Sequence, residues 1–113
     1  MTISYSKFFD PVVLGAAAST LYTVPATPAT NLLRGGRVRL VNTTAGSVTV
    51  TLYAVPAAGA VGVGNAFVSG KSIGGNDYLD VDVPILPAGA TLQGLAGAAA
   101  SITAHMISGS LFS

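Results

Sequence analysis

The apolar and polar positions of this chain alternate with a dominant period of two. Arg37-Val38-Arg39-Leu40-Val41 alternates until Asn42-Thr43-Thr44-Ala45-Gly46 supplies a turn composition. The next run, Ser47 to Val55, sets Val48, Val50 and Leu52 on one side and Thr49, Thr51 and Tyr53 on the other. Side chains of a strand point alternately to its two faces, so the pattern predicts a half-buried strand. With a short turn between them, the two runs predict a hairpin.

Further strands follow in both directions. Pro56 ends the second run, because proline has no N–H to give to a ladder. Pro56 to Gly64 is rich in Gly, Ala and Pro and predicts a flexible loop. Residues 65–69 and 71–73 predict two short strands around Gly70, and Gly74-Gly75-Asn76 a turn. Asp77 to Val83 alternates again, with Leu79, Val81 and Val83 on one side, up to Pro84 and the corner Pro87-Ala88-Gly89. Thr91 to Ala96 predicts a weaker strand and Ser101 to Gly109 the last one. Upstream, Ser19 to Val24 is a strand ended by Pro25, and Val12 to Leu14 a short edge strand. Gly97 to Ala100 is Ala-rich and equally suited to helix, while Gly15 to Ala18 is too short to be helical alone. Seven or eight short strands, with turn signals roughly every 8–12 residues, predict an all-β antiparallel sandwich or barrel. One sandwich domain is expected over residues 19–113, with residues 1–18 ahead of it and a possible short edge strand among them.

Composition sharpens this picture. Of 113 residues only five are Lys or Arg and four are acidic, all of them Asp, which is 8% charged and a net charge of +1. An ordinary soluble domain has roughly 25%. Cys and Trp are absent, so disulfide frameworks and cysteine-ligated metal sites are excluded. Charge-driven disorder is excluded by the 50% apolar content, and a coiled coil lacks the Glu and Lys that would decorate it. The balanced charge leaves no basic footprint for nucleic acid. Leu40 to Gly70 and Val83 to Ser113 carry no formal charge, yet Gly, Pro, Ser and Thr break both, so neither predicts a transmembrane helix. Lys7 followed by Phe8 to Ala18 imitates a secretory signal, but Asp10 and Pro11 interrupt its apolar stretch. The expected protein contacts neither membrane nor nucleic acid.

The order of segments resembles a known group. Leu21-Tyr22-Thr23-Val24-Pro25 leads to Arg37-Val38-Arg39-Leu40-Val41-Asn42-Thr43 and then to Val48-Thr49-Val50-Thr51-Leu52-Tyr53. A Gly/Ala loop, Leu79-Asp80-Val81-Asp82 and Pro87-Ala88-Gly89-Ala90-Thr91-Leu92-Gln93-Gly94 follow. Over residues 19–110 this is similar to the small virion structural proteins of tailed bacteriophages. The resemblance implies a sandwich of jelly-roll type without enzymatic activity. It also implies a role as a capsid decoration, or cement, protein or as a tail accessory protein, with the first 18 residues as an arm that reaches a neighbour.

The residues that could carry chemistry favour binding over catalysis. His105 is the only histidine and falls on the opposite side of its strand from Ile102 and Met106, facing solvent or an interface. A nucleophile needs a base and a group to orient that base, and one histidine cannot build a multi-histidine zinc site. Asp77, Asp80 and Asp82 would suit a hard cation as oxygen donors, but the spacing is not that of an EF-hand loop. The plainer reading is a polar strand face that discourages aggregation. Arg37 and Arg39 share one strand face and form the most polarised feature of the chain. They read as a solvated face, as a phosphate contact, or as partners of Asp80 and Asp82 within the sheet or across a subunit contact. Gly62-Val63-Gly64 and Gly74-Gly75 do not open a helix, so neither is a phosphate-cradling loop. Asn42-Thr43-Thr44 matches a glycosylation acceptor but reads as a turn.

The expectation is therefore a virion structural protein with no cofactor and no metal. It would bind the major capsid protein or other virion proteins on the capsid surface and associate with its own copies as a dimer or trimer. Tyr5, Phe8 and Phe9 are the candidate anchors of the arm, since aromatics dominate interface hot spots; the alternative is that they cover the domain's own core. Arg37, Arg39, Asp80 and Asp82 are the candidate interface charges. A tail or neck protein, or a carbohydrate-binding tip using Tyr22, Tyr53 and Tyr78, is the alternative.

Overall fold

Alternation sorts the side chains of each strand between a buried and an outer side. The computed structural model describes residues 3–4, 10–27 and 29–112. Its strands are β1 (Ile3–Ser4), β2 (Val12–Val13), β3 (Ser19–Thr23), β4 (Leu32–Asn42), β5 (Val48–Val55), β6 (Ala66–Ile73), β7 (Tyr78–Asp82), β8 (Leu86–Pro87), β9 (Thr91–Ala96) and β10 (Ile102–Phe112). In β4, Val38 and Leu40 are fully buried between the outward Arg37 and Arg39, and in β5 Val50 and Leu52 are fully buried between Thr49, Thr51 and Tyr53. With Leu14, Leu33, Leu92 and Ile102 they fill the space between two sheets. Tertiary burial of this kind, rather than strand propensity alone, fixes which face points inward.

All strand pairs are antiparallel. One sheet, here sheet A, has the order β1-β10-β4-β7, with β2 also on β10 and β8 also on β4. Sheet B has the order β3-β9-β5-β6. β1 pairs with β10 at Leu111 and Phe112 and β2 at Thr103 and Ala104, so the two lie end to end along one edge. β7 and β8 divide the free edge of β4 in the same way. The path β2-β10-β4-β7 facing β3-β9-β5-β6 is the eight-position, double Greek-key arrangement of a jelly roll. The expected all-β antiparallel sandwich of jelly-roll type is the fold.

Several boundaries differ from expectation. β6 runs unbroken from Ala66 to Ile73 where two short strands were expected. Gly70 sits at φ +58°, a left-handed conformation that glycine adopts without steric cost, and forms a bulge against β5 instead of a break. β4 begins at Leu32 and β10 ends at Phe112, both longer than the alternation predicts, because each strand is the other's partner along its whole length. The loop after β5 contains a 3-10 turn at Val63–Asn65. Within residues 1–18, Val12–Val13 pairs with β10 and Leu14 is fully buried. No helix among the described residues is long and apolar enough to cross a membrane.

One end of the sandwich is tied together by Asn42, which is fully buried. Its Nδ2 donates to the carbonyls of Gly46 (2.8 Å), Ile73 (3.0 Å) and Gly74 (3.1 Å). Its Oδ1 accepts from the Thr44 N–H (3.0 Å) and hydroxyl (2.7 Å). The side chain thus closes the β4–β5 turn and joins it to the β6–β7 turn. Gly75 allows this approach, since a Cβ there would run into the Ala45 carbonyl. The Asn42 amide that matches a glycosylation acceptor is spent inside the fold.

Candidate functional site

The two outer faces of the sandwich differ in chemistry, and register decides what each presents. On sheet A, β4 and β7 place Arg37 opposite Asp82, Arg39 opposite Asp80 and Val41 opposite Tyr78. Residues directly opposite on one face of an antiparallel pair are close enough to interact. Arg39 closes a two-pronged contact, with Nε donating to Asp80 Oδ1 at 2.8 Å and Nη2 to Oδ2 at 3.0 Å. Its guanidinium also lies 4.5 Å from the Tyr78 ring centroid. The hydrogen bonds from Arg39 hold the Asp80 carboxyl below the usual carboxylate range, and the same bonds raise Arg39. The neighbouring pair is slack: Arg37 Nε stands 3.5 Å from Asp82 Oδ1, with side chains 51% and 88% exposed.

The ion pairing expected between the arginines and the aspartates therefore exists within the sheet. On the other side of β4, β10 adds Thr103, His105 and Ser108 in register with Val41, Arg39 and Arg37. His105 is half-exposed on this outer face, opposite in direction to the buried Ile102 and Ala104. Asp80 is engaged by Arg39, while Asp77 in the preceding turn accepts the Tyr78 N–H at 2.8 Å. Among the described residues no three His, Cys, Asp or Glu side chains come close enough to share a metal ion. Tyr5, Phe8 and Phe9 lie outside the described residues.

Sheet B turns a different face outward. Thr49, Thr51 and Tyr53 of β5 lie beside Gln93 and Leu95 of β9, with Thr20 of β3 and Ser72 of β6 on either side. None of these carries a charge, whereas Arg34, Arg37, Arg39, Asp80 and Asp82 all project from sheet A. Lys71 is in register with the inward Val50 and lines a cleft of about 300 Å³ at the open side of the sandwich, with Phe67, Val68, Ser69, Leu79 and Val81. Of the tyrosines considered for sugar stacking, Tyr22 packs partly against the core, which pushes its hydroxyl pKa up, and Tyr78 carries Arg39 over its ring. Tyr53 remains on the outer face of sheet B.

Sequence reasoning missed a second feature. Val61, Val63 and Ile85 are 40%, 97% and 59% exposed in the loops after β5 and β7. The loop after β5 meets the corner after β8, where Gly89 approaches Ala57. The signal was available as isolated large apolar residues in otherwise small-residue or proline-flanked loops.

The topology defines the class of protein, a two-sheet jelly-roll sandwich. In sequence, no family model and no curated protein matches the chain. In structure it is similar to a chain of infectious bursal disease virus, Gx strain, with a TM-score of 0.53 and 15% identity over 97% of this chain. A chain of the Gt strain gives a TM-score of 0.51, again at 15% identity over 97%. This protein spans 30% and 32% of the length of those two chains. At such identity the likeness is one of fold.

Proposed function

We propose that the chain is a structural component of a virus particle, and that it binds the capsid lattice of a tailed bacteriophage as a decoration, or cement, protein. The observation that carries this reading is the outer face of sheet B, which runs across the sheet without a formal charge. The buried centres of interfaces are depleted in charge and enriched in tyrosine, and Tyr53 and Leu95 stand in the middle of this face. Two further points support the virion assignment: the fold shared with the chains of infectious bursal disease virus and the order of segments that resembles phage virion proteins.

The role is binding rather than catalysis. A protein that binds only the assembled lattice stabilises it by mass action. The partner is the major capsid protein, copies of the chain associate with one another, and the location is the capsid surface. Tyr5, Phe8 and Phe9 act as a second anchor. Immunogold electron microscopy of particles purified from cultures that produce the chain tests this reading. Label spread over the whole shell is expected. Label confined to the neck or tail would replace cement with a tail accessory role, and particles free of label would overturn the proposal.

A further inference from the structure

We infer that the outer face of sheet A docks on the same face of a second copy about a two-fold axis, exchanging Arg37–Asp82 ion pairs between copies. The register carries this. In three successive outward rows β4 supplies Arg37, Arg39 and Val41, and β7 supplies Asp82, Asp80 and Tyr78. A two-fold axis in the contact plane, parallel to the strands and between β4 and β7, preserves position along the strands and exchanges the two sides. It lays β4 of one copy over β7 of the other. Every arginine then meets an aspartate, and Val41 meets Tyr78. An axis across the strands would instead stack β4 on β4 and set arginine against arginine. An isologous contact needs a self-complementary patch, and this pattern is self-complementary about one direction only.

The two ion pairs divide the work. Arg39 is fully engaged by both Asp80 oxygens and the Tyr78 ring, so that row is preorganised. Arg37 and Asp82 stand 3.5 Å apart, and neither makes a side-chain hydrogen bond among the described residues. A guanidinium has five N–H donors in a fork that fits a carboxylate, so Arg37 can take up the second copy's aspartate without breaking a closed contact. Tyr78, 56% exposed, supplies apolar area beside the charges. Two strands make a small patch, so the contact is weak and screened by salt.

Sedimentation velocity of the free protein across concentration and ionic strength tests this without any particle, so its failure and that of the proposed function are separable. The wild-type chain should self-associate reversibly, and less at high salt. Arg37→Asp and Asp82→Arg should each weaken association about tenfold or more, since each sets like charges opposite one another. Mixing the two variants, or combining both changes in one chain, should restore it. Thermal unfolding should confirm that all variants are folded, because both side chains are exposed. A wild-type chain that stays monomeric, singly reversed variants that associate as the wild type does, or a mixture and a double variant that fail to recover would overturn the inference.

Discussion

The two outer faces are built by the same alternation and carry opposite chemistry. Sheet A gathers Arg34, Arg37, Arg39, Asp80 and Asp82, while sheet B shows Thr20, Thr49, Thr51, Tyr53, Gln93 and Leu95. Nine charges in 113 residues would be sparse if spread evenly. Five of them gather on the outer side of sheet A, and among the described residues none stands on the outer side of sheet B. An outer face with that little charge invites association, so the distribution of charge, more than the strand pattern, separates a face suited to a tight lattice contact from one suited at most to a weak, salt-screened contact between copies.

The largest test removes what both faces share. Asn42→Ala would leave the carbonyls of Gly46, Ile73 and Gly74 without their donor inside the fold. The expected loss is about 2–4 kcal/mol of unfolding free energy, read from denaturant melts. Both faces should be lost together, which calibrates any loss of binding due to unfolding. A smaller and more selective effect should follow from charging each face in turn. Leu95→Lys places a charge at the centre of sheet B and should weaken particle attachment about tenfold or more, while half-burial of Leu95 limits the loss of stability to about 1 kcal/mol. Thr103→Lys makes the same addition on sheet A and should leave particle attachment unchanged. Equal losses in a co-sedimentation assay would erase the distinction between the faces.

The smallest effect concerns acid. The Asp80 carboxyl is lowered by its hydrogen bonds to Arg39, so the folded state binds that proton less readily than the unfolded chain does. The resulting stabilisation is present above the unfolded carboxylate pKa and is lost as pH falls through the lowered folded value. In an NMR titration of the side-chain carboxyls, Arg39→Ala should move Asp80 up toward the ordinary range. An unmoved Asp80 would mean that some other group holds it down.

The strands were legible wherever polar and apolar residues alternate without interruption. Val38 and Leu40 with Arg37 and Arg39, or Val50 and Leu52 with Thr49 and Thr51, declare their faces before any contact is known. Legibility failed at glycines. Gly35-Gly36 hid the first half of β4, and Gly70 read as a break, because a single residue's permissive backbone does not reveal whether a partner strand continues past it. It failed also at Asn42, read as a turn residue. Its burial depends on the carbonyls of Ile73 and Gly74, about 30 positions further along the chain.

By itself, then, the sequence determined an all-β chain, the inward and outward residues of its best-patterned strands, and two opposite sets of charge on two separate strands. These follow from a period of two, which is a local property. Only the tertiary structure decided that β4 and β7 are neighbours and that their register sets Arg39 against Asp80. It alone left Arg37 and Asp82 slack, and it alone gave sheet B an uncharged outer face. Those outcomes depend on which strands meet and at what offset. Pairing between segments some 40 residues apart is fixed by the closure of the whole core, which no local pattern contains.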